Sequence, residues 1–148
     1  MADSIQKRVL DYVVTALTAA GAPAAAYRTR TESFSAEQMP AFNVYPLRGA
    51  PYDADDTVNT LAQRFSFAVV ALGTAASDVD VVLDPLFVWV CQQVLADPTL
   101  GGLVLDTMLE AWDWAFPPAD SDVSSCSLTF TALIAVKRTD PTASGLNQ

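Results

Sequence analysis

The sequence predicts an α+β fold: a mainly antiparallel sheet of about five strands with two helices packed on one face, in the order α-β-β-β-α-β-β. Three observations carry that expectation. Apolar residues recur at helical spacing in two segments, 4–20 and 84–96. Apolar and polar residues alternate with period two over 61–72 and 125–136. Most strand-like segments are joined by polar loops rather than helices, which suits antiparallel neighbours with the helices gathered on one side. The 148 residues fit one domain, taken as 1–138, with a flexible tail at 139–148 that has nothing to bury.

In the first helix, Ile5, Val9, Tyr12, Val13, Ala16, Leu17 and Ala20 form one stripe. Asp3 caps its first turn, Gln6 completes a capping box, and Gly21 and Pro23 stop it. A short strand is expected at 25–30, then a polar turn at 31–39. Residues 41–47 read as a strand held between Pro40 and Pro46. Proline donates no ladder hydrogen bond, so an edge position is expected. An acidic loop follows at 49–59, and then the clearest strand, 61–72, with Phe65, Phe67, Val69 and Ala71 on one face.

The second helix is expected from Asp84 as N-cap and Pro85 at the first helical position. A start near Asp78 would place Pro85 inside the helix at a cost of about 3 kcal/mol. Residues 103–116 give a strand with room for a bulge, on which Met108, Trp112, Trp114 and Phe116 share one parity. They read as a core stripe, with a partner platform as the alternative. Glu110 has the same parity and keeps part of that face near water or an interface. A second acidic connection precedes the last strand, which places Cys126, Leu128, Phe130, Ala132, Ile134 and Val136 on one face.

Composition narrows the function. Acids outnumber bases by 17 to 8, a formal charge of −9, and such a surface repels phosphate backbones. There is no histidine, which removes the commonest general base and a common zinc ligand. Cys91 and Cys126 lie among apolar neighbours without redox or zinc spacing, and are expected as buried free thiols in a reducing compartment. The first residues hold no apolar signal core, and no stretch reaches the roughly 18 apolar residues of a membrane span. A soluble protein made in the cytosol is expected.

Catalytic motifs fail on inspection. Asp53-Ala54-Asp55-Asp56 opens like a calcium loop, but Val58 stands where the turn glycine belongs and Arg64 where the bidentate glutamate belongs. Asp78, Asp80, Asp84, Asp113, Asp120 and Asp122 read as solvated loop acids, against a glycosidase-like pair. Gly101-Gly102 is no phosphate loop, and no hydroxyl sits in a nucleophile elbow. No catalytic residue, metal site or cofactor is assigned, and an enzyme is not expected. A small-molecule-binding domain would need a concave apolar pocket with convergent polar groups.

Four stretches taken in order resemble the phage tail terminator family, the lambda-like minor tail proteins that cap a tail tube. They are Met39-Pro40-Ala41-Phe42-Asn43-Val44-Tyr45; the acidic loop into Arg64-Phe65-Ser66-Phe67; Asp97-Pro98-Thr99-Leu100-Gly101-Gly102-Leu103-Val104; and Trp112-Asp113-Trp114, followed after an acidic loop by Leu128-Thr129-Phe130. The resemblance spans 5–138. It implies an α+β subunit in a hexameric ring at the head-proximal, neck end of the tail, assembled in the host cytoplasm. The ring would stop tube polymerisation and present a surface to the head-side connector. Its partners would be further copies of itself, the tail tube protein, a head-side completion protein and, in a contractile tail, the sheath. DNA would pass through without specific binding. Pro85 and the loop at 49–59 depart from the family pattern, so the tail type stays open; another neck or tube component of the same fold is the alternative.

In such a ring, Ala41, Phe42, Asn43, Val44 and Tyr45 are the candidate edge between subunits. Arg28, Arg30, Arg48 and Arg64 are expected to pair with a neighbour's loop acids, and some of Asp53, Asp55, Asp56, Asp120 and Asp122 to face the lumen.

Overall fold

The computed structural model describes residues 3–32, 34–51, 60–74, 78–116 and 123–144. Helix α1 (Ile5–Leu17) is followed by β1 (Ala25–Arg28), a 3₁₀ turn (Ala36–Gln38), β2 (Ala41–Pro51) and β3 (Thr60–Thr74). Helix α2 (Val79–Leu95) then leads to β4 (Asp106–Ala115), β5 (Val123–Lys137) and β6 (Asp140–Ser144). The sheet runs β1-β2-β3-β5-β4, with β6 beside the end of β5. The predicted order is present, but the sheet has six strands and is mixed: β1 pairs with β2 in parallel, and every other pair is antiparallel.

The two long strands β3 and β5 pair from Thr60↔Lys137 to Thr74↔Val123 and form the spine. Residues opposite each other in an antiparallel pair share a face. Phe65, Phe67, Val69 and Ala71 therefore lie on the side of Ala132, Phe130, Leu128 and Cys126, joined by Phe42 and Val44 of β2. All of these are buried in one core with Ile5, Val9, Val13 and Leu17 of α1 and Leu83, Leu86, Val90 and Val94 of α2. Phe67 stacks on Phe130 with centroids 5.4 Å apart. Each such ring or branched side chain contributes about 1.5–3 kcal/mol by leaving water. Both helices thus cover one face. The opposite face carries Asn43, Tyr45, Arg48, Arg64, Ser66, Thr129 and Thr131 and has neither helix over it.

Several boundaries differ from expectation for identifiable reasons. Ser4, not Asp3, caps α1: its side chain accepts a hydrogen bond from the Lys7 N–H, while the Asp3 carboxylate pairs with the Lys7 ammonium at 2.7 Å. Helix α2 starts at Val79, so Pro85 lies inside it and Asp84 is not its cap. The extra turn buries Leu83 completely and brings Val82 and Leu83 against Gly73 near the end of β3, where an added Cβ would lie 3.0 Å from Val82 and 3.4 Å from Leu83. Burial of a leucine, about 1.5–3 kcal/mol, is comparable to the proline's cost of about 3 kcal/mol.

Strand β2 is not an edge strand over its first half, because β1 pairs with Ala41–Val44 on its outer side. Pro46 is accommodated within the strand at a register shift between Pro46 and Arg48. Residues 140–144, part of the expected flexible tail, form β6, and the Thr142 carbonyl accepts a hydrogen bond from the Arg8 guanidinium on α1. No described helix is long and apolar enough to cross a membrane.

Candidate functional site: two unlike edges of one sheet

The first edge is built by β1 and the outer side of β2. At Thr29 the backbone turns into the left-handed region (φ 51°), β1 ends, and β2 continues to Pro51 without a strand on that side among the described residues. Asn43 fixes the departing chain by accepting from the Arg30 N–H at 3.1 Å and donating to the Arg30 carbonyl at 2.9 Å. The Arg30 guanidinium lies over the Phe34 ring (4.4 Å to the centroid) and the Tyr27 ring (5.2 Å), and donates to Gln38 Oε1 at 3.1 Å. A cleft of about 280 Å³ opens beside it, lined by Thr29, Arg30, Thr31, Asn43, Tyr45 and Pro46. Arg28 pairs with Asp11 of α1 at 3.0 Å, half in solvent.

Of the residues singled out from sequence, Asn43, Tyr45 and Arg30 therefore meet at this cleft. Phe42 and Val44 point into the chain's own core, Ala41 is buried as well, and the three offer a partner no side-chain surface. Arg48 and Arg64 are brought together elsewhere, on the helix-free face, around a cleft of about 240 Å³ that also includes Ala50, Ser66 and Glu110. Asp53, Asp55, Asp56, Asp120 and Asp122 lie outside the described residues.

The second edge is β4, which pairs only with β5 among the described strands. Its register shifts between Leu109 and Ala111, leaving Glu110 as the extra residue of a bulge. The bulge splits the expected stripe. Met108 opposes Thr131 on the helix-free face, whereas Trp112 and Trp114 oppose Leu128 and Cys126 on the helix face. There they meet Phe87 of α2, with centroids 5.8 and 6.0 Å away. The helix does not cover them. Trp112 is 51% exposed, Trp114 37% and Phe116 71%, so the core-stripe expectation is overturned in favour of an open aromatic surface. Glu110, sharing parity with apolar neighbours, was the one residue in the sequence that signalled the break.

Charge is uneven along the chain. No Lys or Arg occurs anywhere in 65–136, the span containing α2, β4 and nearly all of β5. Asp78, Asp80, Asp84, Asp106, Glu110 and Asp113 are all exposed there. The β1–β2 edge is mixed: Arg28 pairs with Asp11, exposed Glu32 and Glu37 follow Arg30 in the chain, and Arg48 shares the helix-free cleft with Glu110.

The chemistry-bearing groups are otherwise quiet. Cys91 and Cys126 are free thiols, half-buried and buried; burial pushes Cys91 up, and burial foremost, with Cys91 and Asp113 adding, pushes Cys126 up to about 11. Among the described residues, no group of three or more His, Cys, Asp or Glu is placed to hold a metal ion.

No family model and no curated protein matches the chain. Among solved structures 33 chains match. One belongs to a structure titled "Virion of native gene transfer agent (GTA) particle", with a TM-score of 0.46 and 11% identity over 89% of this chain and 95% of that one.

Proposed function

We propose that this chain is a structural subunit of a phage-like tail: a terminator that forms a ring, hexameric as in the family it resembles, on the head-proximal end of the tail tube. There it stops tube polymerisation and offers the head-side connector a docking surface. What supports this reading is a sheet that, among the described residues, has an unpaired edge on both sides and one face without a helix. An unpaired edge is a template for another chain, and this sheet has one at β4 and another along the second half of β2. We assign the chain no catalytic role and no cofactor. The acidic surface suits a passage for DNA without adhesion.

The test is microscopy of particles from a phage lacking this gene. Tubes of uncontrolled length without heads support the terminator role. Tubes of normal length that fail to join heads move the protein to a connector or completion role. Normal infectious particles overturn both.

A further inference from the structure

We infer that the β4 edge docks an extended segment of a different protein, added to the sheet as a further strand, in which bulky apolar side chains alternate with lysine or arginine. This rests on reading the chain as a subunit of a larger assembly, and deepens it by naming the chemistry of one partner.

The two free edges of the sheet are not equivalent. Along the second half of β2 the edge carries Pro46, Arg48 and Pro51, with a register shift between Pro46 and Arg48. Prolines, charged side chains and bulges are the usual guards of an unpaired strand. Strand β4 holds no Pro, Lys or Arg from Asp106 to Ala115. Its bulge at Glu110 precedes a regular run, paired with β5 from Ala111↔Thr129 to Ala115↔Ser125. All five residues of that run are exposed, and among the described residues no strand lies on their outer side. Such an unguarded edge is suited to strand addition, where backbone hydrogen bonds supply affinity and alternate side chains supply specificity.

The two faces of the run select different side chains. Trp112 and Trp114 stand on the helix face beside Phe87, so an added strand covers those rings with bulky apolar residues. Asp113, between them, lies on the opposite face, as does Asp106 before the bulge. Glu110 already shares a cleft with Arg48 and Arg64 of its own chain, so Asp113 is the acid left to face an added strand. On α2, exposed Asp84 precedes Phe87 by less than one turn and lies on the same side of the helix. No Lys or Arg within 65–136 accompanies these acids. The complement of Trp112-Asp113-Trp114 is therefore apolar, basic, apolar. A second copy does not supply it. Pairing β4 with β4 about a two-fold axis brings Asp106 and Asp113 of both copies onto one face, and the β2 edge is guarded.

The probe is a short, end-blocked peptide of alternating Val and Lys, titrated into the full chain while tryptophan fluorescence and amide exchange are followed. It is expected to bind and to slow exchange at 111–115. The same composition with Val and Lys in separate blocks is expected to bind roughly 10-fold more weakly, as is a Val–Glu peptide. A chain carrying Asp106→Lys and Asp113→Lys, shown to be folded by circular dichroism, is expected to prefer the Val–Glu peptide. An added strand turns every second N–H toward its neighbour. N-methylation of one alternate set of peptide amides is thus expected to abolish binding and of the other set to spare it, with the protein unchanged. Failure of the Val–Lys peptide to bind overturns the proposal. Equal binding of the alternating and block peptides, or of the two methylated sets, overturns strand addition. Equal binding of the Lys and Glu peptides overturns a basic partner. Protection at 111–115 in a free chain that self-associates on sedimentation identifies a second copy as the occupant and overturns a different protein. None of these results touches the tube-ending role, which is read separately from tube length in particles.

Discussion

Cys126 lies on the helix face of β5, opposite Ala71 and Trp114, with no exposure to solvent. Its thiol is pushed from an ordinary value of 9.0 up to about 11, chiefly by burial. The folded chain therefore keeps a proton that the unfolded chain loses above pH 9. Stability that is fully present below pH 9 is lost as pH rises through about 11, by about 2–3 kcal/mol. Cys126→Ala is expected to be less stable at neutral pH yet to lose less between pH 9 and 11; urea titrations at both values check it, and equal losses would refute the assignment. A second residue-scale prediction concerns the turn after α2, where Leu100, Gly101 and Gly102 all have positive φ. A side chain at Gly101 would meet the Tyr12 ring at 3.1 Å, whereas one at Gly102 would meet open space. Gly101→Ala is expected to cost more than Gly102→Ala, which bears only the left-handed penalty of about 1–2 kcal/mol. Denaturant midpoints of the two variants decide it. Asp97 braces the same turn, accepting from Thr99 Oγ1 at 2.7 Å and from the Thr99 and Gly101 N–H groups at 3.0 Å each. The Thr99 hydroxyl foremost holds its carboxyl below the usual carboxylate range, so this bracing is present above about pH 4 and lost below it.

Elements were legible in the sequence where one period runs unbroken. The alternation through 61–72 and 125–136 is that of β3 and β5, and the stripe from Ile5 to Leu17 is that of α1. Reading failed where a nonlocal term outweighed the local one. The parallel pairing of β1 with β2 has no local signature, because it depends on where the chain returns after the turn at Thr29. In β4 one bulged residue reversed the face of everything beyond it, which hid the aromatic surface. In α2 the proline rule was sound, but burial of Leu83 offset it. Pro85 is exposed and removes one backbone hydrogen bond from the helix. Pro85→Ala is thus expected to raise stability by about 1–3 kcal/mol, and a lower melting temperature would show that the proline shapes the contact with Gly73. Strand β6, which composition described as having nothing to bury, is held by Arg8 and by β5. Arg8→Ala is expected to speed amide exchange in 140–144 while leaving β3 protected, and uniform loss of protection would contradict a local role.

At the scale of the whole molecule, local attraction and global repulsion compete. In the proposed ring each copy carries −9, so six copies carry 6 × −9, a formal −54. The −9 arises within 65–136, a span without Lys or Arg, while acids and bases balance over the rest of the chain, so in that ring arginine–acid pairs between neighbours would attract while the net charges repel. These two terms have different ranges. At about 0.01 M salt the screening length is about 30 Å and repulsion acts between whole subunits. Near 0.1 M it falls to about 10 Å, which quenches the long-range term but leaves close arginine–acid pairs between neighbours largely intact. At about 1 M it is about 3 Å, and only apolar contact remains unscreened. Assembly of the wild-type chain is therefore expected to pass through an optimum near physiological ionic strength rather than change steadily. Sedimentation at these three salt concentrations measures it. A steady rise with salt would mean that the arginine–acid contacts contribute nothing. A steady fall would mean that the net charge does not oppose the ring.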